Sequence, residues 1–154
     1  MAISVRKGRP EDRGTIAGFQ VAMAWETEEL TLDKARVTAG VQGVFDDPTR
    51  GEYWIAEREG QIVGCLLTVP EWSDWRNGTV LWIHSVYVIA EARTEGVFRK
   101  LYENLRERVV AADDLKGLRL YVDTGNGSAQ GVYEKMGMSA DHYHLFEWMK
   151  EDKG

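Results

Sequence analysis

A chain of 154 residues, 44% hydrophobic and 29% charged, can bury one core and is no disordered polymer, so a single domain over residues 1–154 is expected. No apolar run approaches the roughly 20 residues of a membrane helix, so no membrane is expected as a partner. The formal charge of −6 disfavours nucleic acid, whose phosphates need a basic face, and suits a cationic small molecule, although mild acidity also serves solubility alone.

The N-terminus, Met1-Ala2-Ile3-Ser4-Val5-Arg6, enters a period-two alternation at once and lacks the apolar core of a signal peptide. A first strand is predicted over Ile3–Lys7. Pro10, Glu11 and Asp12 suit the opening turn of a helix whose apolar stripe is Ile16, Phe19 and Met23. A second helix is predicted from the cap Thr31 through Leu32, Ala35, Val37, Val41 and Val44, ending before Asp46-Asp47-Pro48. The texture then turns to sheet. Strands are predicted at 52–57 and 61–69, joined by the hairpin signal Arg58-Glu59-Gly60. A third, at 79–88, is apolar enough to suggest burial on both faces. Cys65 lies in the apolar run of the middle one. A lone cysteine forms no internal disulfide, which points to a reduced, cytoplasmic setting.

Beyond Val88, the residues Val97, Leu101, Leu105 and Val109 recur at helical spacing. Residues 118–122 read as a strand, Ala129–Lys135 as a short helix closed by Gly137, and 144–148 as a last strand. The predicted order is β-α-α-β-β-β-α-β-α-β, one mixed α/β domain without repeats or linkers.

The turn between the strand ending at Val88 and the helix opening near Val97 reads Glu91-Ala92-Arg93-Thr94-Glu95-Gly96-Val97. Amides at a helix N-terminus bind anions, Gly96 allows close backbone approach, and Arg93 adds charge, so a phosphate-bearing cofactor is expected there. The competing reading is a capped helix. The turn is neither a Walker loop nor a three-glycine dinucleotide fingerprint.

Strand, R-x-x-G turn and helix together resemble the cofactor segment of the GNAT superfamily of N-acetyltransferases, whose pattern [QR]-x-x-G-x-[GA] reads here Arg93-Thr94-Glu95-Gly96-Val97-Phe98. Phe98 departs from it, standing where the family has Gly or Ala. Downstream, Asn126, Ala129, Tyr133, Lys135, Gly137 and Met138 match the family's N-x-x-[AS]-x-x-x-Y-x-K-x-G-[FM]. The likeness covers nearly the whole chain. It implies a GNAT-type α/β (α+β) fold with a mixed, mostly antiparallel central sheet flanked by helices, and acetyl-CoA (coenzyme A) as cofactor. The cofactor residues it implies are Val86, Tyr87 and Val88, the turn Arg93, Thr94, Glu95 and Gly96, the helix start Val97, Phe98 and Arg99, and Asn126, Ala129 and Tyr133. Val86 would turn its amide to the thioester carbonyl, and Val88 would touch the pantetheine arm.

The implied chemistry is removal of a proton from an ammonium of pKa about 10, attack on the thioester, and protonation of the departing thiolate. Tyr133 matches the family's proton donor; otherwise it is a buried aromatic anchoring its helix. His84 stands where several members carry a Glu, four residues before the closing Val of the strand. An imidazole of pKa near 6.5 is matched to base work at neutral pH, and the competing reading is a core histidine bonded to a carbonyl.

The acceptor pocket is expected from Trp25, Glu26 and Glu28 in a loop between the first helices, Trp72, Asp74 and Trp75 in a loop between strands, His84, and Tyr143 beside His142 and His144. Aromatic faces with carboxylates suit a small-molecule amine arriving as an ammonium. Tryptophans in loops call for cover, either by one another or in a dimer, and a homodimer is an expectation of the fold. His84, His142 and His144 lack zinc-ligand spacing, so no metal is expected. Two further readings stand beside the enzyme: an acyl-CoA-binding sensor without turnover, and a protein or peptide N-acetyltransferase.

Overall fold

Strands β1 (Ile3–Lys7), β2 (Glu52–Arg58), β3 (Gln61–Ser73), β4 (Gly78–Val88) and β5 (Leu115–Arg119) join in that order into a five-stranded sheet in the computed structural model, which describes residues 2–150. Neighbours from β1 to β4 are antiparallel, and β5 runs parallel to β4, so the expected mixed, mostly antiparallel α/β sheet is observed. The predicted hairpin is present with a loop of two residues, Glu59 and Gly60, both at positive φ, because Arg58 joins the ladder opposite Gln61. The chain divides into two compact units, Met1–Arg119 and Leu120–Gly154.

In the first unit a 3-10 turn, Pro10–Asp12, leads into α1 (Arg13–Glu28), followed by α2 (Lys34–Asp46) and, after β4, α3 (Val97–Ala111). The start of α2 is later than predicted. Asp33, not Thr31, caps it, its carboxylate accepting from the Ala35 and Arg36 amides at 3.0 and 3.3 Å. The buried stripe of α1 runs through Ile16, Ala17, Gln20 and Ala24.

The sheet is covered on both sides. Ile16, Ala17 and Val41 of the first two helices bury Tyr53, Ile55 and Cys65 on one face. Successive strand residues point to opposite faces, and on the other face a Cβ at Gly64 would lie 3.0 Å from Val97 of α3. There α3 buries Val97, Leu101, Tyr102 and Leu105, the predicted stripe. Burial pushes the Cys65 thiol up to about 12, so it packs as a hydrophobe rather than reacting.

β4 is less buried than its composition predicts: Gly78, Val80 and Ile83 are buried and the rest is half-buried. The reason lies in its ladders. β5 pairs with it only from Thr79 to Trp82, and no other strand of this unit continues along that edge. On its other side Cys65 opposes Tyr87 and Leu67 opposes His84, leaving Leu66 opposite both Ser85 and Val86. This is a β-bulge, with Ser85 in the left-handed region at φ 55.

In the second unit α4 spans Gly127–Lys135. The strand predicted at 118–122 ends at Arg119 and starts earlier, at Leu115, because the register with β4 decides its bounds. The last strand predicted, 144–148, is irregular. None of the four ladders includes it, and Leu145, Phe146 and Trp148 are exposed, so its alternation alone does not make a strand.

Candidate active site

The turn that follows β4 is built to present amides. Gly96, the N-cap of α3, has φ 75, a conformation L side chains adopt at a cost, and a Cβ there would meet nothing within 4 Å. The intrahelical ladder begins with Lys100 donating to Gly96 O at 3.1 Å, so the Val97, Phe98 and Arg99 amides precede it at the positive end of a long helix. Open space in front of Gly96 and amides ahead of the ladder fit a pyrophosphate. Glu95 is ion-paired to Arg58 of β2, which pins the turn to the sheet. The Phe98 ring lies along α3, 6.2 Å from that of Tyr102.

Arg93 does more than lend charge to this turn. Its Nε donates to Val88 O at 2.9 Å and its Nη2 to Glu26 at 2.7 Å, while its guanidinium lies 5.5 Å from the Tyr87 ring. The Tyr87 hydroxyl donates to the other Glu26 oxygen at 2.6 Å. The Tyr87 hydroxyl first, and Arg93 second, hold the Glu26 carboxyl below the usual carboxylate range. Phe19 of α1 packs its ring 5.0 Å from Tyr87. The end of α1 is thus tied to the end of β4 beside the turn.

The bulge decides which side chains share a face. In a regular strand residues 84 and 87 point to opposite sides; the extra residue brings them to the same one. Opposed residues of an antiparallel ladder share a face. His84 opposes Leu67, and Tyr87 opposes Cys65, both packed in the core under α1 and α2. His84 is half-buried, in edge contact with Trp82 at 6.2 Å between ring centroids. Burial lowers its imidazole below the ordinary value of about 6.5. A neutral imidazole at neutral pH is the form that accepts a proton.

The residues read from sequence as acceptor-binding are dispersed. Trp25, Glu26 and Glu28 lie on the last turns of α1, not in a loop. Trp72 is the penultimate residue of β3, and its parity turns it to the face opposite Leu67. Asp74 and Trp75 form the β3–β4 turn, where Asp74 accepts from the Trp75 amide at 3.0 Å. Trp25, Trp72 and Trp75 are 58%, 65% and 91% exposed, so the cover expected for them is not supplied within the described residues. Glu26 of this set is joined to β4 beside the turn.

The second unit holds the downstream motif as a capped helix. Asn126 Oδ1 accepts from the Ala129 amide at 3.2 Å, and Gly137, at φ 89, closes the helix after Met136. Tyr133 is half-buried on α4, and burial raises its phenol above the ordinary value, which keeps the proton on it. Tyr143 lies exposed in the irregular segment beyond.

Three residues, Ser85, Trp82 and Arg119, escaped the sequence reading. Ser85 makes the bulge, and nothing marks a serine for it. Trp82 reads as core until the register puts it beside His84. Glu71 and Arg119, 48 residues apart, meet at 2.8 Å on the same face, a pairing no local pattern encodes. Among the described residues no cluster of His, Cys, Asp or Glu could hold a metal, and no helix is long and apolar enough to cross a membrane.

Comparison with known proteins gives concordant matches. The family model described as Acetyltransferase (GNAT) family matches residues 13–138. A mycothiol acetyltransferase from Streptomyces griseus is 30% identical over 145 residues, 93% of this chain; the chain spans only 45% of that relative. The crystal structure of a "possible acetyltransferase" from Clostridium difficile 630 superposes with a TM-score of 0.91 at 35% identity, covering 99% of this chain and 100% of that one. A predicted acetyltransferase from Clostridium acetobutylicum, crystallised with acetyl-CoA, shares the fold at 16% identity, with a TM-score of 0.72 over 98% of this chain and 96% of its own.

Proposed function

The chain belongs to the acetyltransferase (GNAT) family, with acetyl-CoA as its acetyl donor, and from that premise we propose that it acetylates the primary amine of a small acceptor, which arrives as an ammonium cation, by direct attack. The observation that carries this reading is the bulged end of β4: it sets a half-buried His84 on one face and runs directly into the Gly96 turn.

Bound acetyl-CoA supplies an activated thioester and a thiol leaving group. The Gly96–Arg99 amides would hold its pyrophosphate, and Val86, which lies beyond the last β4–β5 register pair at Trp82, would offer its amide to the thioester oxygen. His84 takes the proton from the acceptor ammonium, directly or through water, so that the nitrogen lone pair forms the C–N bond; the second, now acidic, N–H proton passes to solvent as the C–S bond breaks. Tyr133 gives its phenolic proton to the departing thiolate, and both groups re-equilibrate with solvent. Burial lowers the His84 pKa and raises that of Tyr133, which keeps the imidazole neutral and the phenol protonated, the forms these opposite roles start from. Glu26 draws the cation toward this face. The buried, unreactive Cys65 supports a reduced cytoplasmic setting, and the exposed rings of Trp25, Trp72 and Trp75 support a homodimer rather than a pocket lining.

A thiol-release assay with acetyl-CoA over a panel of amines tests the reading. Release with at least one amine is expected. Tight acetyl-CoA binding with no release on any of them favours the sensor instead.

A further inference from the structure

The sheet face that carries His84 continues toward β5, and its next features are charged. Val69 opposes Trp82 and Glu71 opposes Val80, so these side chains share the face of Leu67 and His84. Arg119 of β5 is in register with Trp82 and lies on that face too. Its Nη1 donates to Glu71 Oε1 at 2.8 Å, and the pair spans β4 from β3 to β5. The two side chains are 29% and 43% exposed, open enough for a solute to reach. His84 therefore stands between two charged clusters: Tyr87, Glu26 and Arg93 toward the turn, and Trp82, Glu71 and Arg119 on the other side.

A part-exposed ion pair adds little to stability, typically under about 1 kcal/mol, so bracing the sheet is a weak reason for it. A guanidinium aimed by a carboxylate suits recognition. It offers five N–H donors in a fixed fork matched to a carboxylate, and its Nη1 already donates to one in Glu71. Two strand steps lead from Trp82, the register partner of Arg119, to His84, a span of about 7 Å that the long arginine side chain can shorten. That is the reach of a small molecule with an amine at one end and an acid at the other.

We propose that the acceptor is an aminocarboxylate: its amine reacts at His84 while its carboxylate binds Arg119, with Glu71 as the positioning residue that aims the guanidinium. This rests on the acetyl-transfer reading and narrows its acceptor. The ring of Trp82, 6.2 Å from that of His84 on the same face, would contact the intervening carbons.

The test compares matched acceptors in the thiol-release assay with acetyl-CoA: glycine, β-alanine and γ-aminobutyrate, each beside its amide and the alkylamine without the carboxyl. For at least one of the three, kcat/KM of the acid is expected to exceed that of its amide about tenfold or more, the worth of a hydrogen-bonded charge pair. Arg119→Gln is expected to bring that ratio to about one. Arg119→Lys, which keeps the charge and loses the fork, and Glu71→Gln should each lower it; they decide the matter if Arg119→Gln does not fold. A second readout needs no turnover: the preferred acid should raise the Tm of the cofactor-free wild type more than its amide does, and not that of Arg119→Gln. Turnover of amides equal to that of acids, or a ratio unmoved by all three substitutions, overturns the proposal and leaves acetyl transfer standing. No release on any amine overturns the acetyl-transfer reading and this narrowing with it.

Discussion

Glu26 and Arg93, 67 residues apart, meet at 2.7 Å and tie the last turns of α1 to the turn that opens α3. Each is also the charge its own site would use, Arg93 for phosphate and Glu26 for an ammonium. While paired they compete with those ligands. Glu26→Gln should therefore tighten coenzyme A binding about threefold to tenfold, and Arg93→Ala should weaken it about tenfold or more, the scale of one charge-assisted hydrogen bond. Calorimetric titration with coenzyme A reads both. Equal weakening by the two variants would show the pair to be a brace alone.

His84 sets the pH response. Burial lowers its pKa from about 6.5, so the neutral base persists at pH values where a free histidine is half protonated. His84→Ala should cut kcat about a hundredfold, the usual worth of a general base, and remove the acidic limb of the kcat profile. The same shift has a stability consequence. The unfolded chain binds this proton more readily than the folded one, so stability falls as pH drops below about 6.5 toward the lowered folded value. His84→Gln should flatten that part of the Tm-against-pH curve.

Tyr133 acts at the other end of the reaction. Its raised pKa keeps the phenol protonated through neutrality. Tyr133→Phe keeps the ring's packing and removes only the proton, so kcat should drop about 10- to 100-fold while the Kd of coenzyme A moves far less. An equal loss in both would mean that the ring's hydroxyl binds and does not donate.

At Gly96 the constraint is backbone and not space, since a Cβ would touch nothing within 4 Å while φ stands at 75. Gly96→Ala should therefore cost only about 1 kcal/mol of stability. Its larger effect should fall on coenzyme A, because the added methyl projects where the pyrophosphate is expected. A rise of tenfold or so in Kd, with a Tm lowered by no more than about 4 °C, is the expected pattern.

Most local signals in the sequence held, the Thr31 cap and the 144–148 alternation excepted; long-range ones were silent. The Val97, Leu101 and Leu105 stripe is a property of fifteen consecutive residues, and α3 buries all three. The Glu59-Gly60 hairpin and the left-handed Gly96 are equally local. The bulge at Ser85, by contrast, exists because β3 has one residue where β4 has two, which depends on both strands at once. It also decides that His84 and Tyr87 share a face. The tryptophan-rich loops misled for the same reason: Trp72 sits in a strand, and strand parity sends it to the face away from His84. The pairing of Glu71 with Arg119 carried no signal, since their meeting needs the parallel register of β5 on β4.

Gly64 is the converse of Gly96, a position set by space. Its φ lies outside the left-handed region, but a Cβ would stand 3.0 Å from the Tyr87 carbonyl oxygen and 3.0 Å from Val97 Cγ1. The first contact is backbone and cannot rotate away; the second belongs to the first turn of α3. Gly64→Ala must therefore push α3 off the β3–β4 ladder or spread that ladder where Gly64 opposes Val88. Overpacking of this kind costs about 1–3 kcal/mol, which for a chain of this size lowers Tm by roughly 2–4 °C per kcal/mol. Displacement of the Val97 turn should also loosen coenzyme A, because the same residues present the anion-binding amides. Gly64→Ala is thus expected to lower Tm more than Gly96→Ala does while weakening coenzyme A less. Thermal melts with and without coenzyme A separate the two, and the reverse ranking would mean that α3 yields freely at its N-terminus.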